Sequence, residues 1–417
     1  MNKREFLRSM GGASIGLLLG DRLWAQYAAL GPSALAEDEP FWAMIREKYR
    51  LKPDYINLEN GYFSMQSEPV LEAFLGRVRD INYEASYYMR TRQFDDKLAA
   101  RTLLARMAGC SPGELIITRN TTESLDTVIA GFDWKAGDAA VMASQDYGAM
   151  LDMFQLQAKR YGIVNTIVSL PIDPQSDDEI VQLYERALSP RTRLLMISHL
   201  VNITGQILPV RAIVDMAHRR GIEVMVDGAH AFAQLEFTIP ELACDYYGAS
   251  LHKWLGTPLG AGILYVRADR IAKLWPVFAD ASMADTDIRK LNHTGTHPVH
   301  TDLAIGNAIA FHESIGIQRK EARLRYLQNY WTTQVRDVPN IVMYTPRDMK
   351  RSCAIANVGI RGMPPATLAK SLLDRYGIWT VAIDAANVHG VRITPQVFTA
   401  TAELDTFVRG LKELAAV

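Results

Sequence analysis

Two side chains near the middle of the chain invite chemistry. Asp227 closes an apolar run, Val224–Val226, and is followed by the turn residue Gly228. Twenty-six residues later Lys253 follows a second strand-like run, Tyr246–Ser250, and precedes a Gly/Pro turn and an apolar stretch ending at Val266. An apolar run that ends on an acid and a turn reads as a buried parallel strand delivering that acid to the carboxyl edge of a sheet. Asp227 and Lys253 therefore converge on one crevice. Such a pair suits an ordinary ion pair at a strand end. It equally suits imine chemistry, in which the amine condenses with an aldehyde cofactor and the carboxylate keeps a proton on the cofactor's ring nitrogen. The two residues alone leave both readings open.

The elements that must position them are legible as an alternation of strands and crossovers. Strand-like runs occur at Leu115–Thr118, Ala139–Ala143, Thr166–Leu170, Leu194–Ser198, Val224–Asp227, Tyr246–Ser250 and Gly262–Val266, most of them separated by segments long enough for helices. This predicts an α/β fold with a seven-stranded, mostly parallel sheet and a site at the strands' carboxyl ends. Beyond it, strands at Ile341–Tyr344, Ala354–Ile360, Trp379–Ile383 and Gly390–Ile393, with helices at Pro365–Tyr376 and after Thr401, predict a smaller α+β C-terminal domain. With 417 residues, 48% of them hydrophobic, the chain is long enough for two domains around large cores. A net charge of -1 and the lack of a basic stripe argue against nucleic acid, and no apolar run is long enough for a membrane span. No metal-ligand pattern is read.

The neighbours of the acid and the lysine carry a resemblance. Asp227-Gly228-Ala229-His230 and Ser250-Leu251-His252-Lys253 resemble the Asp-Gly-Ala-Gln/His and Ser-x-His-Lys motifs of the class V branch of the fold type I pyridoxal phosphate (PLP) enzymes. That branch includes isopenicillin N epimerases and cysteine desulfurases, and the resemblance covers roughly residues 55–410. It implies PLP on Lys253, with Asp227 at the pyridine nitrogen. Thr121-Thr122, at the start of a helix where free N–H groups bind anions, is similar to the family's phosphate-binding pair. Tyr147 takes the place of the flat residue against the ring, His199-Leu200-Val201-Asn202-Ile203-Thr204-Gly205 resembles the family's Asn motif, and His230 would touch the same ring oxygen as Asn202. Ser250 and His252 complete the cofactor set. His293-Thr294-Gly295-Thr296 resembles a loop that reaches the neighbouring subunit's phosphate, which implies a homodimer with Thr296 at the cofactor. Val391-Arg392-Ile393-Thr394-Pro395 resembles the family's Val-Arg-x-Ser-Pro, whose arginine pairs with a substrate α-carboxylate. Asn60 and Tyr62, after a short strand and a Gly turn, and Arg90 and Arg92, in an aromatic and guanidinium-rich segment, are further candidates for the substrate cleft.

One absence narrows the chemistry. The loop before Arg392, Ala382–His389, lacks the nucleophilic cysteine of the desulfurases, and Cys353 sits in an apolar strand pattern that reads as core. The expectation is a PLP enzyme acting at Cα of an amino-acid substrate by transamination or epimerisation. The alternatives are a β-eliminating lyase and a non-catalytic binding protein of the same fold.

The amino terminus reads separately. Residues 1–36 have a basic start, a Gly-rich apolar stretch and small residues at Ala34–Ala36, the pattern of an export signal. Asn2–Arg8 resembles a twin-arginine signal with Lys3 in place of the first arginine, implying a periplasmic or exported enzyme. Three cysteines are too few for a disulfide framework. The expected organisation is a signal to residue 36, a segment over the active site at 37–66, a large PLP-binding domain at 67–300 and a small domain at 301–417.

Overall fold

The computed structural model describes residue 27 and residues 30–416. The expected twin-arginine motif lies outside the described residues.

Thirteen strands are found among the described residues: β1 Ile56–Asn57, β2 Leu115–Thr118, β3 Ala139–Ala143, β4 Val164–Val168, β5 Thr192–Ser198, β6 Glu223–Asp227, β7 Tyr246–Ser250, β8 Gly262–Val266, β9 Ile341–Met343, β10 Ala356–Ile360, β11 Ile378–Trp379, β12 Val381–Ala385 and β13 Val388–Ile393. Seven of them form the large sheet in the order β2-β8-β7-β6-β5-β3-β4. Only β8 runs against the others, pairing antiparallel with β2 and β7. Successive residues of each strand point to opposite faces, so a sheet covered on both sides needs apolar residues at every position. Val141, Leu195, Ile197, Val224 and Val226 enter one core, while Ala140, Met142, Leu194, Met196 and Met225 enter the other. Edge strand β4 starts two residues earlier than expected. Gly162, in the left-handed conformation, ends the preceding helix, and the pairing of Val164 with Ala139 fixes the register.

A second sheet, β12-β13-β10-β9, is antiparallel and packs under the helices Pro365–Tyr376 and Thr401–Ala415 around a separate core. The amino-terminal segment is stitched to this smaller domain: β1 pairs with β11, and Glu59 bridges to Thr394. Helix Val299–Ile315 packs against helices Glu68–Glu84 and Gln93–Ala108. Gly316, with a positive φ of 87°, separates it from helix Ile317–Val335.

The last turn of the expected signal is part of this structure. Pro32–Ala36 is helical, Leu35 and Ala36 are buried, and the Ala36 carbonyl accepts a hydrogen bond from buried Arg323 at 3.0 Å. No helix among the described residues is long and apolar enough to cross a membrane.

Candidate active site

Parallel strands in register present their carboxyl ends as a row. Asp227 pairs with Ser198 on one side and Gly248 on the other, so β5 and β6 end together and β7 runs two residues further, to Ser250. The turn after β7 then brings Ser250, His252 and Lys253 to the same edge. A cavity of about 340 Å³ opens there. It is lined by Thr121, Thr122, Tyr147, Asn202, Asp227, His230, Ser250, His252, Lys253, Tyr62 and Arg392, residues far apart in sequence.

Gly228 is required at this turn because a Cβ on it would fall about 1.9 Å from the Tyr247 ring. That close approach puts Asp227 beneath the cavity. Its carboxylate accepts the Ala229 amide at 2.9 Å. Burial raises its pKa above the ordinary range, against the opposing pull of that amide and of Lys253. Lys253 is lowered to about 8, chiefly by burial and further by Arg392, while Asp227 and Glu59 act the other way. No ion pair joins Asp227 and Lys253 among the described residues. Instead Lys253 Nζ lies 2.9 Å from His230 Nε2. The Trp254 indole N–H donates to His230 Nδ1 at 3.4 Å, leaving Nε2 to carry the proton of a neutral ring. Burial and the Lys253 charge lower His230 well below an ordinary histidine. The amine is thus unengaged by a carboxylate and partly neutral near pH 7, the state that imine chemistry needs and an ion pair forbids.

The helix Thr121–Gly131 points its amino terminus at the cavity. Asn120 caps it by accepting the Glu123 amide, and the Thr121 amide donates to Ser250 Oγ at 2.9 Å. Thr122, also on the lining, keeps its amide and hydroxyl free of partners among the described residues. His252 is pushed down to about 4 by burial and Lys253, and its Nδ1 is buried without a partner. Unpaired donors at a helix amino terminus beside an unpaired imidazole nitrogen fit a phosphate-bearing group. Tyr147, which precedes helix Gly148–Tyr161, presents a half-exposed ring to the cavity. The residues present therefore fit PLP: Thr121 and Thr122 would hold its phosphate and Lys253 its aldehyde.

Four candidates are not brought into the cavity. Asn60 is fully buried beneath it, its side chain donating to the Thr394 carbonyl at 2.9 Å and accepting from Asn57, so it holds the turn rather than a ligand. Arg90 is exposed on helix Ser86–Thr91, and Arg92 is taken up by Glu84 and by the Tyr88 ring. Thr296 is exposed on its loop and away from the cavity of its own chain.

Several residues of the site carried no sequence signal. Glu59 forms a bidentate pair with Arg392. Asp146, buried behind the cavity-lining Ser198, accepts from the Ala143 amide and from Ser198 Oγ, both at 2.7 Å. Burial pushes it up to about 7. An acid next to the aromatic Tyr147 was the available hint. Phe63, Leu200 and Leu259 add apolar wall.

The comparisons with known proteins agree with this geometry. Residues 64–408 match the model of the class-V aminotransferases. The chain is 29% identical over 394 residues to an isopenicillin N epimerase of Amycolatopsis lactamdurans, covering 90% of this chain and 98% of that one. It is 27% identical over 340 residues to a probable cysteine desulfurase of Halalkalibacterium halodurans, covering 78% and 82%. Among solved structures, a cysteine desulfurase from Thermococcus onnurineus superposes with a TM-score of 0.77 at 22% identity, covering 89% and 97%. A cystine C–S lyase in complex with cysteine persulfide does so with 0.77 at 20%, covering 86% and 97%.

Proposed function

Because the chain belongs to the class-V aminotransferase family, we propose that it is a PLP-dependent enzyme acting at Cα of an amino acid or an amino-acid-bearing metabolite, by transamination or epimerisation. The observation that carries this reading is the Lys253 amine, which meets His230 rather than a carboxylate, in a cavity that buried Asp227 and Arg392 also line.

When bound, PLP supplies an aldehyde for the substrate amine and a ring that takes up the electrons released at Cα. The chain's own groups divide the remaining work. Asp227 would keep a proton on the ring nitrogen. Thr121, Thr122, Ser250 and His252 would hold the phosphate. Arg392 would hold the substrate carboxylate, and Lys253, as a neutral amine, would take the Cα proton. His230, beside Lys253, and Tyr147, on the cavity lining, are groups able to carry protons.

Transamination ranks slightly ahead of epimerisation, because one base on one face suffices for it. Epimerisation needs a second acid, for which Tyr147 is the candidate. No cysteine lines the cavity among the described residues, and buried Cys353 is raised by burial to about 12, which weighs against a persulfide reaction despite the names of the relatives.

The test is a panel of amino acids in deuterated water, with products followed by mass spectrometry and chiral chromatography. Deuterium at Cα with either a keto acid or the opposite enantiomer is expected. Pyruvate with ammonia or sulfide would mean β-elimination and overturn the ranking.

The reading includes a homodimer, supported by exposed Tyr83, Tyr87 and Phe94, and sedimentation at the monomer mass would reject it. It also includes export. The burial of Leu35 and Ala36 supports a signal that ends upstream of Pro32, and the amino-terminal sequence of exported protein checks this.

A further inference from the structure

Arg392 is engaged before any substrate arrives. Its Nε and Nη2 donate to Glu59 at 3.1 and 2.7 Å, and its Nη1 donates to the Asn202 carbonyl at 3.3 Å. The two side chains are only 7% and 5% exposed. Glu59 Oε1 also accepts the Tyr62 amide at 2.8 Å, so the carboxylate is fixed from the other side as well. A guanidinium carries five N–H donors, of which these bonds use three. One N–H remains on each Nη, and Arg392 borders the cavity. Glu59 itself is not on the cavity lining, so it acts on the cavity through Arg392.

We propose that Glu59 decides how the anchor accepts a carboxylate. It pins the Nε/Nη2 edge of Arg392, offers an incoming carboxylate only the two remaining Nη donors, and cancels the guanidinium charge so that an anion alone gains little. Two carboxylates must then share one cation. A simple carboxylate, with no second attachment, is held weakly. An α-amino acid is also held through its amine and bears the shared anchor, so Glu59 selects amino acids over unaminated carboxylates while orienting Arg392 for them. Glutamine does not replace it, because an amide has one acceptor oxygen and its NH₂ would face one of the two guanidinium donors. The inference rests on Arg392 being the carboxylate anchor, as proposed above.

The test uses the PLP-loaded protein, with acetate and propionate as probes followed by cofactor absorbance, alongside kinetics with the best amino-acid substrate. In Glu59→Gln, acetate should bind tighter by about tenfold or more, since a like charge beside the cation has been removed. In the same variant, kcat/KM for the amino acid should fall, because Arg392 has lost its orientation. These opposite signs are what a merely structural role would not produce. Glu59→Asp keeps the charge but is too short to hold both donors, so acetate should stay as weak as in the native enzyme while kcat/KM falls. It decides the matter on the same readouts if Glu59→Gln loads cofactor poorly.

Unchanged acetate affinity in Glu59→Gln, with acetate binding lost in Arg392→Ala, would overturn the role of Glu59 alone. Acetate binding in native protein that is indifferent to Arg392→Ala would overturn the anchor itself.

Discussion

The lowered pKa of Lys253 has a measurable consequence. Burial takes the amine from 10.5 to about 8, with Arg392 pushing further down and with Asp227 and Glu59 opposing. Only the neutral amine attacks an aldehyde. At pH 7 about one Lys253 in ten is neutral, against about one in three thousand at an ordinary lysine, so loading should be faster by about 300-fold. The assay is to mix cofactor-free protein with PLP between pH 6 and 10, trap with borohydride at intervals, and locate the modified peptide by mass. The logarithm of the rate should climb with unit slope and flatten near pH 8. Asp227→Asn removes a charge that holds the proton on Lys253, so the bend should move below 8 and loading at pH 7 should speed up, even though retention of cofactor suffers. A bend near pH 10, a bend unmoved by Asp227→Asn, or cofactor fixed to another lysine would refute the assignment.

Three further outcomes follow from the same geometry. Asp146 is raised from 3.8 to about 7, so the folded state binds its proton more tightly than the unfolded state; its stabilising contribution is full below about pH 4 and lost as pH rises towards 7. Asp146→Asn should therefore melt progressively higher relative to native protein between pH 4 and 7 in differential scanning calorimetry, and a constant difference would deny the burial argument. Gly228→Ala puts a methyl group into the Tyr247 ring, an overpacking that should cost about 1–3 kcal/mol and displace Asp227, read as a lower denaturant midpoint and weaker cofactor retention. Replacing Lys3 and Arg4 by alanine should leave the enzyme in the cytoplasm with cofactor bound, and unchanged periplasmic recovery would reject the signal.

The sequence by itself determined the sheet and the chemistry-bearing residues on its carboxyl edge. Strand periodicity is local, and a buried parallel strand must be apolar throughout, so β2 to β8 and the acid closing β6 could be read directly. The positions of Thr121, Thr122, Ser250 and His252 follow from their places beside strand ends. Arg392 could be placed from its strand, but its partner could not. Glu59 lies 333 residues away, and nothing in Leu58-Glu59-Asn60-Gly61 distinguishes a surface acid from one buried against a guanidinium. Only the pairing of β1 with β11 and the bridge to Thr394 bring the two together. The same segment shows why Asn60, plausible as a ligand, is turned inward to Thr394. Tertiary structure also places the Lys253 amine against His230. The spacing of Asp227 and Lys253 brings both to one edge, but whether the amine meets the acid or His230 depends on side-chain packing around Trp254, which no local pattern encodes.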